Sequence, residues 1–463
     1  MSPEIISILV LVAIFVVATL LPINIGILGF VAAFVVGSTL AGIDGETLLE
    51  EGFPDELAVT LIGITLLFAM AQNNGTVDWL VRCAVQAVRG RLAAIPWVMF
   101  AIAGVLTAFG AVSAAAVAIV APIAMGFAYR FKINPLLMGL MVVNGAQAGG
   151  FSPISIYGTI TNDAVASADL EGSPIALFLS SFFVNLAIAA VTFVLFGGLR
   201  LLQRRTDELD ADGDAPADGV MSGPAGSGGT GSAGGTAAPA GSGGTATATM
   251  TGTETESDAV SGSIRPTPYQ LFTVVGLLGL GVATLKYELD VGLVALTVAL
   301  AVALFSPWSQ KKAIQHISWP VVLLIAGVLT YVFVLEELGT VEYAGNAMLQ
   351  VGAPLVAALL LCYDGGIASA FASSTALLPI IIPLAVPLLN EGGIGAVGMV
   401  AALAVSSTVV DVSPFSTNGA IVLANSAEED QDRIYKLLLK FGFSVVAIAP
   451  LAAWLVMVVP GWM

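Results

Sequence analysis

Residues Asp411-Val412-Ser413-Pro414-Phe415-Ser416-Thr417-Asn418-Gly419-Ala420 interrupt an otherwise apolar helix with Pro, Gly and small polar side chains. A helix broken at membrane depth exposes N–H and C=O groups that lipid cannot satisfy, so such a break must be buried in protein or line a wet cavity. The chain carries a second copy, Phe151-Ser152-Pro153-Ile154-Ser155-Ile156-Tyr157-Gly158-Thr159. Paired Pro/Gly-interrupted apolar segments at matching positions of two halves are the sequence mark of a secondary transporter's binding site.

Other landmarks repeat around these two. Val17-Ala18-Thr19-Leu20 returns as Val282-Ala283-Thr284-Leu285, and Ile23-Asn24-Ile25-Gly26 as Leu289-Asp290-Val291-Gly292. Gly75-Thr76-Val77-Asp78-Trp79 returns as Gly339-Thr340-Val341-Glu342-Tyr343, Ser113 with Pro122 as Ser374 with Pro383, and Ser152-Pro153 as Ser413-Pro414. The offsets are 265, 266, 264, 261 and 261, in order along the chain. Two repeats are therefore expected, 1–205 and 266–463, joined by a segment over 206–265.

Of 463 residues 57% are hydrophobic and 10% charged, against about 25% charged in a soluble domain. The fold class is an all-α polytopic membrane protein. The net charge of −17 owes much to nine carboxylates between Asp207 and Asp258, within a Gly, Ser, Thr, Ala and Pro run that reads as a disordered linker. A single histidine, His316, and two distant cysteines, Cys83 and Cys362, leave no His-built metal site, disulfide framework or catalytic grouping. Ile5 to Leu21 lacks a basic n-region and a small-x-small cleavage site, so it reads as a retained helix.

Spans are expected near 4–21, 23–43, 57–74, 134–162 and 173–203, then 268–285, 288–307, 318–338, 393–425 and 434–459. Each holds about the 20 apolar residues a crossing needs. Asp78, Arg82, Gln86 and Arg89 share one face of an amphipathic helix over 76–90, which fits the membrane interface. The apolar arms of 93–130 and 352–389 flank small-residue centres, Gly110 to Ala116 and Ala370 to Ala376. If each pair of arms is one re-entrant hairpin, each repeat crosses five times and the repeats are inverted. The basic residues support this: 14 of 15 then fall on one side, Lys286 alone excepted. That side is the cytoplasm by the positive-inside rule. Both termini lie outside and the linker inside the plasma (inner) membrane.

Inversion would bring both tips and both breaks to the midplane. The polar groups converging there are Ser113, Asn144, Gln147, Ser152, Ser155, Ser373, Ser374, Thr375, Ser413, Ser416, Thr417 and Asn418. No Lys or Arg lies in these segments, so an anion would be held by hydroxyls, N–H groups and half-helix dipoles. Two carboxylates, Asp364 and Asp411, sit in apolar segments, and an ionisable group within a membrane is a functional candidate by default. Asp411 aligns with Gly150, so the two halves differ there.

Ala148-Gly149-Gly150-Phe151-Ser152-Pro153-Ile154-Ser155 and Val410-Asp411-Val412-Ser413-Pro414-Phe415-Ser416-Thr417-Asn418-Gly419 resemble the signatures of MatC-type dicarboxylate (malonate) carriers, in the ion transporter superfamily with the divalent anion/sodium symporters. The resemblance covers both repeats. It implies a homodimer in which the hairpins and broken helices move as an elevator. It also implies a Ser-Asn-Thr triplet at each tip that binds sodium and a substrate carboxylate. The triplets here are Val112-Ser113-Ala114 and Ser373-Ser374-Thr375, so neither has the Asn. Cation ligands are then expected among Ser113, Ser374, Asp411, Asp364 and the unwound backbone at Gly150, Phe151 and Val412. The expectation is a non-enzymatic carrier of a small dicarboxylate such as malonate, malate or succinate, coupled to Na+ or H+, with no cofactor beyond a coupling Na+. The alternative is a Na+/H+ antiporter of the same superfamily, with Asp411 and Asp364 as ion carriers.

Overall fold

The computed structural model describes residues 2–21, 23–86, 91–202, 266–287, 289–305, 307–349, 354–371, 374–390 and 393–461. The acidic linker and Ser373 lie outside the described residues.

The first half runs α1 (Pro3–Leu20), α2 (Ile25–Val36, continued by a π-helical turn over Gly37–Ala41), α3 (Gly45–Glu50), α4 (Asp55–Asn73) and α5 (Thr76–Gln86). A hairpin follows, α6 (Ala94–Ala108) and α7 (Ser113–Arg130), then a broken helix, α8 (Pro135–Gly149) and α9 (Ile156–Ser167), then α10 (Pro174–Leu195) and α11 (Gly198–Leu201). The second half runs α12 (Pro268–Tyr287), α13 (Val291–Phe305), α14 (Pro307–Gln315), α15 (Trp319–Glu337) and α16 (Thr340–Leu349). Its hairpin is α17 (Pro354–Phe371) and α18 (Ser374–Leu384), extended by α19 (Val386–Asn390). Its broken helix is α20 (Ala396–Thr408) and α21 (Thr417–Ala424), followed by α22 (Glu428–Ala453, with a π-helical turn over Trp454–Val458). Among the described residues there is no strand. The sequence leaves α3 and α14 in loops because both are short and polar, yet they occupy equivalent places in the two halves.

Contacts between the halves come in mated pairs. α2 packs on α15 and α13 on α4; α1 touches α16 and α12 touches α5; α7 touches α21 and α18 touches α9. Each contact recurs with the roles of the repeats exchanged, as a two-fold relation requires. Glycine sets the closest crossings. A Cβ on Gly327 would strike the backbone of Gly26, and one on Gly26 the backbone of Leu323. In the mate, a Cβ on Gly63 would lie 2.7 Å from the Gly292 carbonyl oxygen, and one on Gly292 2.6 Å from Thr60 Cα. Such contact of backbones through small residues is how helices associate where lipid removes the hydrophobic drive.

The hairpins end midway through the molecule. Asn418 Nδ2, at the restart of the second broken helix, donates to Ser113 Oγ at 3.0 Å, so the tip of α6–α7 reaches only the middle of its neighbour. Gly110 makes that turn at φ +101°, with Ile64 where a Cβ would stand. At the other tip Ser374 meets Asp411, at the end of α20. Both hairpins are re-entrant, each repeat therefore spans an odd number of times, and the second is inverted. α8 and α20 are buried along nearly their whole length, as central helices that are apolar all round should be. α1, α12 and α13 expose Leu9, Val12, Leu278 and Leu300, a surface suited to lipid. Among the described residues six helices are long and apolar enough to cross a membrane.

Candidate functional site

The duplicated Ser-Pro-x-Ser-x-x-Gly pattern is a helix restart. Ser155 Oγ accepts from Gly158 N at 3.2 Å and faces the carbonyls of Gly150 and Ser152 as donor. Ser416 Oγ accepts from Gly419 N at 3.2 Å and faces those of Asp411 and Ser413. Each serine is the N-cap of the second half-helix, an arrangement whose loss costs about 1 kcal/mol. The glycine is required because a Cβ would collide with the carbonyl oxygen of Ser152 or Ser413. Ser155 is thus engaged within its own turn, and the carbonyls of Gly150 and Asp411 each already accept a hydroxyl.

Between these breaks and the hairpin tips lies a cavity of about 460 Å³. Val112 and Ala114 from the start of α7, Ser374 and Thr375 from the start of α18, and Ser416, Thr417 and Asn418 from the start of α21 line it, with Tyr157 and Asp411. Ala18, Ile25, Pro320 and Val321, at the adjoining ends of α1, α2 and α15, form the opposite wall. Among the described residues that line it there is no Lys or Arg. The first turn of α7 has no side-chain cap, so its N–H groups and dipole face the cavity unanswered, which favours an anion. Asn418 is 3% exposed and its Oδ1 has no partner. Asn418 lines the cavity, and its Nδ2 keeps a second N–H beyond the one given to Ser113.

Asp411 is held by both repeats. Its carboxylate accepts from Gln147 Nε2 at 3.0 Å and Ser374 Oγ at 3.0 Å, and Tyr157 lines the cavity beside it. Ser374 Oγ pairs with Ser369 Oγ at 2.7 Å. Tyr157 and Ser369 are the site residues that sequence reasoning missed. The usable signal for Tyr157 is that it stands 261 residues before Asn418, so each faces a hairpin tip from the opposite repeat.

Of the expected site residues, Ser374, Thr375, Asp411, Ser416, Thr417 and Asn418 line the cavity, and Ser113 adjoins it through Asn418. Gln147 reaches it through Asp411. Asn144 bonds back to the Leu140 carbonyl in its own helix. Ser152 and Ser413 are buried in the turns of the breaks, where Ser413 Oγ accepts from Ser416 N at 3.2 Å. Phe151 is fully buried against Tyr157, ring centroids 5.5 Å apart, and Val412 is 1% exposed. Asp364 is exposed on α17 and does not line the cavity.

A second crevice of about 310 Å³ is lined by Glu56, Leu57, Pro153, Asn162, Asp163, Asp290 and Val291, among others. Leu57 and Val291 are the repeat counterparts of Val321 and Ile25, so this is the pseudo-symmetric partner of the main cavity. It is shallower, reaching the break only at Pro153. Burial and the nearby Glu56 carboxylate push Asp163, just past the end of its span, up to about 6 from 3.8. A carboxyl whose folded value is raised favours the fold in its protonated form. That contribution is complete below about pH 4 and disappears as pH rises through 6. Asp163→Asn is expected to flatten this decline and to add about 1–2 kcal/mol at pH 7.5, allowing for partial exposure. Thermal melts from pH 4.5 to 7.5 check it.

Residues 1–150 match the family model of the dicarboxylate carrier protein MatC N-terminus, and residues 280–462 match that of citrate transporters. The two halves are thus similar to carriers of dicarboxylates and of citrate respectively, and the chain is a secondary transporter. As a carrier it is not an enzyme. The YdaH transporter of Alcanivorax borkumensis is similar in fold, with a TM-score of 0.60 at 14% identity over 94% of this chain and 98% of that one. MtrF of Neisseria gonorrhoeae, described with a class of antimetabolite efflux pumps, has a TM-score of 0.55 at 12% identity over 99% of this chain and 95% of that one. At these identities the likeness shows the fold alone. No curated protein matches the chain.

Proposed function

We propose that this carrier moves a small dicarboxylate of the malonate, malate or succinate class across the plasma (inner) membrane, coupled to Na+ or H+. The observation that carries the reading is the cavity itself. Three helix starts and Asn418 converge on a space whose described lining holds no Lys or Arg, so a small anion there is bound by N–H and hydroxyl groups. The matches to dicarboxylate-carrier and citrate-transporter models support a carboxylate. With the repeats and linker bounded at 1–205, 206–265 and 266–463, and the basic residues inside, the main cavity opens toward the cytoplasm. Its shallow partner marks the outward route. Alternating access then proceeds by an elevator movement of hairpins and broken helices against a scaffold, within a homodimer.

The antiporter reading draws on Asp411, a buried carboxylate with no cationic partner among the residues that hold it. Its second expected ion carrier, Asp364, lies away from the cavity, so the dicarboxylate reading is the stronger.

Ligand stabilisation tests the proposal. At a hundred times its dissociation constant a ligand adds about 2.7 kcal/mol to the folded state. Malonate, malate or succinate is expected to raise the melting temperature by several degrees over chloride at equal ionic strength. No shift with any dicarboxylate, in sodium or in potassium, would sink it.

A further inference from the structure

The two hairpin tips are equivalent in sequence but not in what faces them. Ser113 opens α7 and Ser374, 261 residues on, opens α18. Asn418 sits on Ser113, and its counterpart Tyr157 sits near Ser374 and Asp411. So far the halves match. The difference is Asp411, which replaces Gly150 of the first half and places a carboxylate on the Ser374 hydroxyl, with Gln147 as a further donor. At the first tip the corresponding side chain is absent, α7 has no side-chain cap, and Asn418 brings an amide N–H donor group to Ser113 at the cavity wall. One tip awaits an anion; the other already holds one.

We infer that Asp411 is a tethered carboxylate that fills the second of two pseudo-symmetric anion positions, and so sets the charge of the molecule carried. The substrate brings one carboxylate to the α7 tip, while its other end, facing Asp411, must be uncharged. The carried species is a monoanion: a half-protonated dicarboxylate, or a monocarboxylate with a polar neutral end. The charge logic is strong at this range. A second carboxylate about 5 Å from Asp411, at an effective dielectric near 20, is disfavoured roughly a hundredfold. This inference rests on the carboxylate-carrier reading and refines it.

The test compares malonate with monomethyl malonate, which keeps a single negative charge at neutral and alkaline pH. Both are titrated into the purified full-length carrier by calorimetry from pH 5 to 8, in sodium and in sodium-free buffer. For the wild-type chain, malonate affinity is expected to fall roughly tenfold per pH unit above the second pKa of malonate, while the monoester holds steady. In Asp411→Asn the decline is expected to vanish, and the dianion to gain at least about tenfold on the monoester. Asp411→Gly, which installs the residue found at the equivalent position, gives the same reversal if the asparagine variant does not fold. Malonate binding that stays level with pH in the wild-type chain, in either buffer, overturns the inference. So does equal weakening of both ligands in both variants. Failure of every carboxylate to bind would instead remove the proposed function.

Discussion

Leucine in place of Gly327 is expected to abolish recovery of folded, monodisperse carrier. The Gly26–Gly327 crossing of α2 on α15 is a backbone-on-backbone contact, so the obstacle to a side chain is main chain and cannot swing aside. Overpacking that displaces only side chains costs about 1–3 kcal/mol. Separating two helices at their closest approach exceeds that, and about 3 kcal/mol already threatens a fold of ordinary stability. The mated crossing makes the same statement: Gly63→Leu meets the Gly292 carbonyl and is expected to fail alike. Gly279 and Gly281 on α12 serve as controls, because nothing lies within 4 Å of a Cβ at either. Size-exclusion profiles of all four leucine variants, purified in parallel, check the prediction. Normal profiles for Gly327→Leu would refute the crossing.

Asn418→Leu is expected to do the reverse, leaving the fold intact while removing function. Asn418 Oδ1 is buried without a partner, and an unsatisfied buried polar atom costs about 1–3 kcal/mol. Leucine fills a similar volume without that penalty, though Ser113 loses its one resolved partner. Stability should hold or rise slightly. Uptake should fall at least about tenfold, equivalent to the one charge-assisted hydrogen bond a carboxylate would lose there. Melting temperature and initial uptake rate, measured on one preparation, separate the two effects. A large drop in melting temperature would mean that Asn418 serves packing.

Both breaks, both tips and the inverted pairing were legible because each is punctuated by residues that lipid-embedded helices otherwise avoid. Ser152-Pro153 and Ser413-Pro414 could not be read as ordinary spans, and the near-constant offset linked them. What could not be read was the direction in which a small polar side chain points. Asn144 looks like a ligand in sequence but satisfies itself on Leu140, one turn back. Ser155 and Ser416 look like one class of ligand, yet both cap a helix and only Ser416 also lines the cavity. Tyr157 escaped notice because an aromatic residue in an apolar motif has the composition of core. Asp364 and Asp411 both sit in apolar segments of the sequence. Helical phase separates them, placing one on an exposed strip with Leu360 and Ile367 and the other against Gln147 and Ser374.

The central claim is that the cavity at the meeting of tips and breaks carries a small dicarboxylate across the bilayer at the expense of a cation gradient. Purified carrier in proteoliposomes, given labelled malonate, malate or succinate with an imposed sodium or proton gradient, tests it most directly. Saturable uptake that overshoots its equilibrium level under one of the gradients, and collapses when that gradient is dissipated, is the result expected. Sodium-driven proton flux with no uptake of any dicarboxylate would contradict the account.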